Sequence, residues 1–285
     1  MLGGTTLSDL RNAFLAIGIP TYGNITENFL NFCNELVTLL HTVNMRYVFL
    51  TKEGSLICRA RNQIMSGFYD LCKGSNGDYY KELTHFLFLD CDVSTDPRHI
   101  VQMIGHTYTY DVDLIGAYVP LKDFMDNVLQ KTRAFKLNID SDAPEVFIDS
   151  DKTLQKVDIL TTGMLMFTKK MVFELIKDAK KNGDWYHYDV DSRRRLYNPF
   201  KTPIIEEMRG GKKFRHYLSE DWYICYKARE LGFDVIADRS INVKHRGHFD
   251  FRFPAREDFD AIMSAENHLM SSGFGKVLNI RGDNQ

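Results

Sequence analysis

Two aspartates one residue apart, in Asp90-Cys91-Asp92, directly follow an apolar run that is typical of a buried strand. Ligands of α/β proteins bind beyond the carboxyl ends of the strands. Mg²⁺ and Mn²⁺ prefer carboxylate and phosphate oxygens, so this pair predicts a divalent-cation site that could bridge a diphosphate. The alternative is a solvated turn, because the same pattern recurs in Asp111-Val112-Asp113 and Asp189-Val190-Asp191.

A second candidate site is the segment Ser55-Leu56-Ile57-Cys58-Arg59-Ala60-Arg61-Asn62. Ser55 is a suitable N-cap, and the N-terminus of a helix favours anions. Arg59 and Arg61 would lie near that end, where a guanidinium can bind a phosphate or a carboxylate. The alternative is a surface helix in which one arginine forms a salt bridge.

Adjacent acids occur in Ser219-Glu220-Asp221-Trp222, at the predicted start of a helix. The helix macrodipole alone explains acids at this position. The functional interpretation is a general base that activates a hydroxyl, with Trp222 as an apolar platform for a sugar face.

Two further segments could complete such a site. In Lys244-His245-Arg246-Gly247-His248, either histidine could bind a metal, or neither. In Thr161-Thr162-Gly163, the glycine either relieves a bend or lets a substrate approach the backbone closely.

Alternating strand and helix signals must position these residues, and they predict a parallel sheet with helices on both faces. The predicted strands are 14–19, 46–50, 84–89, 113–119, one within 156–168, and 233–237. The predicted helices are 24–40, 56–71, 97–104, 170–180 and 217–231. The stretch 182–215 has no clear pattern, and its length predicts a functional lid or disorder.

The composition is that of an ordinary globular chain of 285 residues, with 44% hydrophobic residues and a net charge of −2. Near-neutral charge argues against a nucleic-acid binder. No apolar run approaches the roughly 18 residues that span a bilayer, and the N-terminus lacks the apolar region of a signal peptide. Five cysteines without a CxxC pair predict reduced thiols and a cytoplasmic location, and argue against zinc. We expect one catalytic domain over 12–252 and a helical or flexible appendage over 253–285.

In this order, the segments resemble the nucleotide-sugar-dependent glycosyltransferases of the GT-A fold, close to the family-2-like group. The opening strand and loop of that group resemble Ala16-Ile17-Gly18-Ile19-Pro20-Thr21-Tyr22, and its A-R-N helix resembles Arg59-Ala60-Arg61-Asn62. Its D-x-D strand resembles Phe86-Leu87-Phe88-Leu89-Asp90-Cys91-Asp92, and its E-D motif resembles Ser219-Glu220-Asp221. The pattern also resembles glycosyltransferase-like proteins of viruses and phages.

The resemblance implies a Rossmann-like, mostly parallel sheet and a role for each matching residue. Pro20, Thr21 and Tyr22 would hold the nucleotide base and ribose, and Arg59, Arg61 and Asn62 would contact the nucleotide sugar. Asp92 and His245 would bind Mn²⁺ or Mg²⁺, and Asp90 would bind the ribose or the metal. Asp221 would be the base of an inverting enzyme, with Glu220 holding the acceptor or replacing it. Thr162, Gly163 and Trp222 would face the acceptor or the transferred sugar, and 182–215 would be an acceptor lid.

The activity implied is transfer of a hexosyl or pentosyl group from a UDP- or GDP-sugar to a glycan, protein or lipid-linked acceptor, with inversion or retention left open. One alternative is a sugar-phosphate nucleotidyltransferase. That group opens with a Gly-rich basic loop, whereas Pro20-Thr21-Tyr22-Gly23-Asn24 has one glycine and no basic residue. Another is a non-catalytic nucleotide- or carbohydrate-binding protein, which the joint presence of Asp90, Asp92 and Asp221 argues against. A metal-dependent hydrolase would need more histidines and acid pairs.

Overall fold

The computed structural model describes residues 7–23, 25–120, 153–189, 194–209, 211–246 and 250–252. Its helices are α1 (Leu7–Asn12), α2 (Glu27–Thr42), α3 (Ile57–Cys72), α4 (Pro97–Tyr110), α5 (Lys169–Lys181) and α6 (Glu220–Glu230), and a 3₁₀ helix covers Asp78–Glu82. Its strands are β1 (Phe14–Thr21), β2 (Arg46–Glu53), β3 (His85–Leu89), β4 (Val93–Thr95), β5 (Leu114–Ala117), β6 (Leu154–Val157), β7 (Met164–Thr168), β8 (Trp185–His187), β9 (Arg195–Tyr197), β10 (Ile204–Arg209), β11 (Lys212–Tyr217), β12 (Val235–Asp238), β13 (Val243–Arg246) and β14 (Asp250–Arg252).

The main sheet has seven strands in the order β2-β1-β3-β7-β5-β12-β6. Strand β7 runs antiparallel to both of its neighbours, and β6 runs antiparallel to β12. The remaining strands share one direction, so the predicted mostly parallel α/β sheet is confirmed. A smaller sheet has the strand order β14-β13-β4. Its strand β4 follows β3 directly along the chain.

The two faces of the sheet are buried under different helices. On β1, Phe14 and Ala16 pack in a hydrophobic cluster with residues of α3, α5 and α6. The alternate residues Leu15 and Ile17 pack with residues of α1, α2 and α4. Because both faces are covered, β1 is apolar along nearly its whole length, as central strands are.

Helix α3 lies unusually close to β1. A Cβ added at Gly18 would lie 2.7 Å from Cγ2 of Ile64, so only glycine permits this approach. The close packing holds the start of α3 near the carboxyl end of β1, where the candidate site lies.

Several predicted boundaries differ from those observed. Pro20 lies within β1 instead of ending it; the register of β1 with β3 stops at Gly18, so the missing N–H of Pro20 removes no bond on that side. Ser55 is not the N-cap of α3, which begins at Ile57 after Leu56 and has no side-chain cap. Helix α6 begins at Glu220 and not at 217, because Tyr217 pairs with Ile204 in a hairpin.

The prediction for 182–215 was wrong where it expected no regular structure. The described part of this stretch forms two antiparallel hairpins, β8–β9 and β10–β11. Their strands are short and mostly polar, so the apolar periodicity that reveals longer elements is absent.

Two predictions lie outside the described residues: His248 as a possible metal ligand, and the appendage at 253–285. Within the described residues, no helix is long and apolar enough to cross a membrane.

Candidate active site

A cavity of about 530 Å³ lies at the carboxyl ends of β1 and β3. It brings together most of the residues that the sequence singled out, from six separate segments of the chain. Those predicted residues are Pro20, Tyr22, Arg61, Asp90, Asp92, Thr162, Gly163, Glu220, Asp221 and His245.

The parallel direction of β1 and β3 explains why their following loops meet at one edge of the sheet. The backbone then holds the remaining segments against this edge. The N–H of Asp90 donates to the carbonyl of Gly163 (3.0 Å), and the N–H of Arg246 donates to the carbonyl of Asp92 (2.8 Å). Gly163 and β13 are therefore tied directly to the two aspartates.

Arg61 connects the two acidic parts of the cavity. Its Nη2 donates to both carboxylate oxygens of Asp90 (3.0 and 2.9 Å), and its Nη1 donates to Oε1 of Glu220 (2.5 Å). Only 4% of its side chain is exposed. Burial alone would lower the pKa of Arg61, but Asp90 and Glu220 raise it above its ordinary value, so the guanidinium remains charged.

Asp92 and His245 lie close together in the same cavity. Nδ1 of His245 lies 2.7 Å from the carbonyl of Pro120, which can only accept, so Nδ1 carries a proton. In the neutral ring Nε2 then keeps its lone pair, and it lies 3.6 Å from Oδ1 of Asp92. The carbonyl thus fixes the tautomer of the neutral ring, and Nε2 is the ring nitrogen that is able to bind a cation.

Asp221 lies in the cavity wall and is held by residues at the start of its own helix. It is 7% exposed, and its Oδ1 accepts from the hydroxyl of Ser219 and from the N–H of Trp222 (2.9 Å). Within the described part of the chain, no hydrogen bond involves Oδ2. One oxygen is thus fixed, and the other remains able to accept a proton at the cavity wall.

The donor set fits a divalent cation only in part. Ligand distances of about 2.1 Å allow two atoms 3.6 Å apart to reach one ion. However, among the described residues no group of three or more His, Cys, Asp or Glu side chains could hold a metal. Asp92 and His245 can therefore supply two ligands, and further ligands would have to come from a substrate or from water.

Comparison with protein-family models and with curated proteins finds no match to this chain. Among solved structures, the chain is similar to a glycosyltransferase involved in the glycosylation of the major capsid of PBCV-1. The identity is 9% and the TM-score is 0.31, over 61% of this chain and 70% of that chain. A likeness of this size does not define an activity, which has to be inferred from the cavity itself.

Four of the predicted site residues do not line the cavity: Thr21, Arg59, Asn62 and Trp222. Arg59 is exposed, and its Nη2 lies 3.4 Å from the carbonyl of Tyr188. The amide of Asn62 is 2% exposed and bonds Asn198 and the backbone of Phe200, so it holds the segment after β9 against α3.

Other cavity residues were missed by the sequence interpretation, including Ile57, Val119 and Pro120. Pro120 has the clearest role, because its carbonyl fixes the tautomer of His245; a backbone carbonyl leaves no signal in the residue types.

Cys91 also lines the cavity. Burial, followed by Asp92 and Asp90, raises the pKa of its thiol, so it is not a thiolate nucleophile at neutral pH.

Proposed function

We propose that this protein is a metal-dependent glycosyltransferase that moves a sugar from a nucleoside-diphosphate sugar to a hydroxyl acceptor. The observation that carries the proposal is the joint placement of Asp92, His245 and Asp221 around one cavity of about 530 Å³. A cation-binding pair and a separate carboxylate base are the two groups that this transfer uses when it proceeds with inversion.

In the proposal, Asp92 and His245 hold Mn²⁺ or Mg²⁺ together with the diphosphate of the donor. Mg²⁺ commonly binds through one or two carboxylates plus substrate phosphates, which agrees with the two protein ligands available here. The cation would offset the charge that the leaving diphosphate gains. Asp90, whose two oxygens already accept from Arg61, has a supporting role.

Asp221 is the proposed general base. Its Oδ2 takes the proton of the acceptor hydroxyl, the acceptor oxygen forms a bond to the anomeric carbon, and the bond from that carbon to the diphosphate breaks. The fixed Oδ1 holds the carboxylate in place during the transfer. Arg61 bonds both Glu220 and Asp90, so it holds Glu220, the residue before Asp221, close to Asp90.

The nucleotide lies, in this proposal, near Pro20 and Tyr22 at the end of β1, and UDP or GDP is the expected leaving group. Tyr22 is 63% exposed, so most of its side chain is accessible at the rim. Thr162 and Gly163 form the wall beside Asp90, where the transferred sugar would lie. The acceptor would be a glycan, a protein or a lipid-linked sugar.

Thermal unfolding in the presence of UDP, GDP and their sugars, with and without Mn²⁺, tests the proposal. A ligand at about 100 times its dissociation constant adds roughly 2.7 kcal/mol, which raises the melting temperature by about 2–4 °C. We expect such a shift with one nucleotide and Mn²⁺ together. Because the described residues supply two ligands, Mn²⁺ alone should shift the melting temperature little.

Asp92→Asn removes one of the two cation ligands and should abolish the shift, whereas Asp70→Asn, on the distant end of α3, should retain it. A well-folded protein that responds to no nucleoside diphosphate would contradict the proposal.

A further inference from the structure

A second cavity, of about 630 Å³, adjoins the candidate active site and shares Asp92 and Val93 with it. Its other walls come from the first turns of α2, the start of α4 and the strand β13. The proposed glycosyl transfer uses none of these other walls.

Strand β13 presents alternate side chains to the two cavities. His245 lines the candidate active site, whereas Lys244 and Arg246 line the second cavity. Successive side chains of a strand point to opposite sides, which explains why neighbouring residues of β13 line different cavities. The same short strand therefore supplies His245 to one cavity and two cations to the other.

The cations dominate the charge that remains available in the second cavity. Lys244 and Arg246 are exposed, and neither forms an ion pair with a residue whose side chain is described, which leaves out 247–252. Of the acids that line the cavity, Asp96 is paired with Arg98, and Asp92 lies beside His245. Glu35 is the remaining acid. An anionic group near β13 would be attracted by two positive side chains, one of which offers a planar fork.

The rest of the lining suits hydroxyl groups. Asn28 and Asn31 project from α2, Asn242 precedes β13, and Ser94 lies on β4. Amides both donate and accept, so they can bind the hydroxyls of a sugar in either sense. The volume lies in the range of small-molecule sites, roughly 300–1,000 Å³.

We propose that this second cavity binds an acidic sugar, one that carries a phosphate or a carboxylate, with its anionic group on Lys244 and Arg246 and its hydroxyls on the asparagines. The inference goes beyond the proposed transfer and does not depend on it. The acidic sugar would bind in the second cavity, beside the donor, and would not compete with it.

Calorimetric titration of the full chain tests the proposal with three probes: glucose 6-phosphate, glucuronate and glucose. Titrations are made with and without saturating UDP and Mn²⁺. We expect one or both acidic sugars to bind in both conditions, and glucose to bind at least about tenfold more weakly, since it lacks the charge-assisted hydrogen bonds. Comparing the two acidic probes distinguishes a phosphate from a carboxylate ligand.

Lys244→Gln and Arg246→Gln should each weaken binding of the acidic sugar by about tenfold or more. Lys212→Gln, an exposed cation on β11, is the matched control and should leave binding unchanged. Glu220→Gln, which alters only the first cavity, should also leave it unchanged. The proposal is overturned if neither acidic sugar binds, or if both β13 variants bind it as tightly as the unaltered protein. Loss of the response to UDP and Mn²⁺ alone would count against the proposed transfer and not against this site.

Discussion

Arg61 is the residue on which the arrangement of the acids depends. Its guanidinium is almost fully buried between Asp90 and Glu220, which are themselves only 25% and 15% exposed. Removing one partner from a buried ionic cluster leaves the other charges uncompensated in a medium of low dielectric constant. The sequence interpretation gave this arginine to the nucleotide, whereas its Nη atoms are already engaged by protein carboxylates.

Arg61→Gln should therefore lower the free energy of unfolding by about 3–5 kcal/mol. Arg61→Lys keeps the charge but loses the planar fork, so its cost should be smaller. Urea unfolding measures both. Arg59→Gln, an exposed arginine on the same helix, is the control and should change stability by about 0.5 kcal/mol at most. Equal free energies of unfolding for Arg61→Gln and Arg59→Gln would show that the buried ionic cluster does not stabilise the fold.

Gly163 tests whether a ligand approaches the backbone beside Asp90. An added Cβ would lie 3.4 Å from Oδ2 of Asp90 and 3.4 Å from Cγ2 of Val93, and the residue has no positive φ. Gly163→Ala should thus cost about 1 kcal/mol or less in stability. It should nevertheless reduce turnover by about tenfold or more, because the methyl group would displace the bound sugar.

The matched control for that substitution is Gly67→Ala on α3, where the added Cβ meets nothing within 4 Å. Turnover in this control should be unchanged. If Gly163→Ala is as active as Gly67→Ala, no substrate atom lies at this position.

At the scale of elements, strand β3 begins with the buried His85, and Asp90 and Asp92 follow its carboxyl end. His85 is 2% exposed, and its Nδ1 and Nε2 each lie 2.8 Å from a threonine hydroxyl, on Thr84 and Thr107. The hydroxyl of Thr107 donates to the carbonyl of Ile104, so it accepts from Nε2 of a neutral ring. Burial lowers the pKa of His85 from 6.5 to about 4.

Stability should depend on pH through this group. A lowered pKa means that the unfolded chain binds the proton more readily, so the contribution is complete above about pH 6.5 and is lost as the pH falls toward 4. Between about pH 7 and pH 5 the loss should be about 2 kcal/mol. In His85→Gln, urea unfolding should show a correspondingly smaller pH dependence. His187→Gln, at an exposed position, should behave as the unaltered protein does, and an unchanged pH dependence in His85→Gln would refute the argument.

The elements that the sequence predicted well are those with a buried apolar stripe or run. Strand β3, apolar after His85, and the helices α2 and α5 lie close to the predicted positions. The hairpins after α5 could not be predicted, because their strands are short and polar. The antiparallel direction of β7 depends on its pairing with β3, whose nearest register partners, Leu89 and Met164, are 75 residues apart, and no local pattern records it.

The candidate site was predictable to the same limited extent. Residue type and position after a strand identified Asp92, and an acidic helix start identified Asp221. What the sequence could not show was the partner of each group. Arg61 and Glu220 are separated by 159 residues, and the carbonyl of Pro120 is 125 residues from His245. Such contacts follow from the packing of the sheet and not from any spacing along the chain.

At the scale of the whole molecule, the sheet order brings two cavities to the same edge, with β13 and Asp92 between them. The core is buried on both faces of the sheet, and at this edge polar groups gather beside open space. Ligands in the two cavities would lie on either side of one short strand. Binding at one site can then affect the other only if β13 or Asp92 differs between the bound states, and any such effect must be reciprocal.

The most direct test of the central claim is release of nucleoside diphosphate from a panel of UDP- and GDP-sugars with Mn²⁺, compared between the unaltered protein and Asp221→Asn. We expect one donor to be consumed, and only when a cation is present. We also expect that Asp221→Asn still binds that donor but turns it over at least about a hundredfold more slowly, because the base is lost. Consumption of no donor by folded protein, or equal turnover by Asp221→Asn, would contradict the proposed transfer.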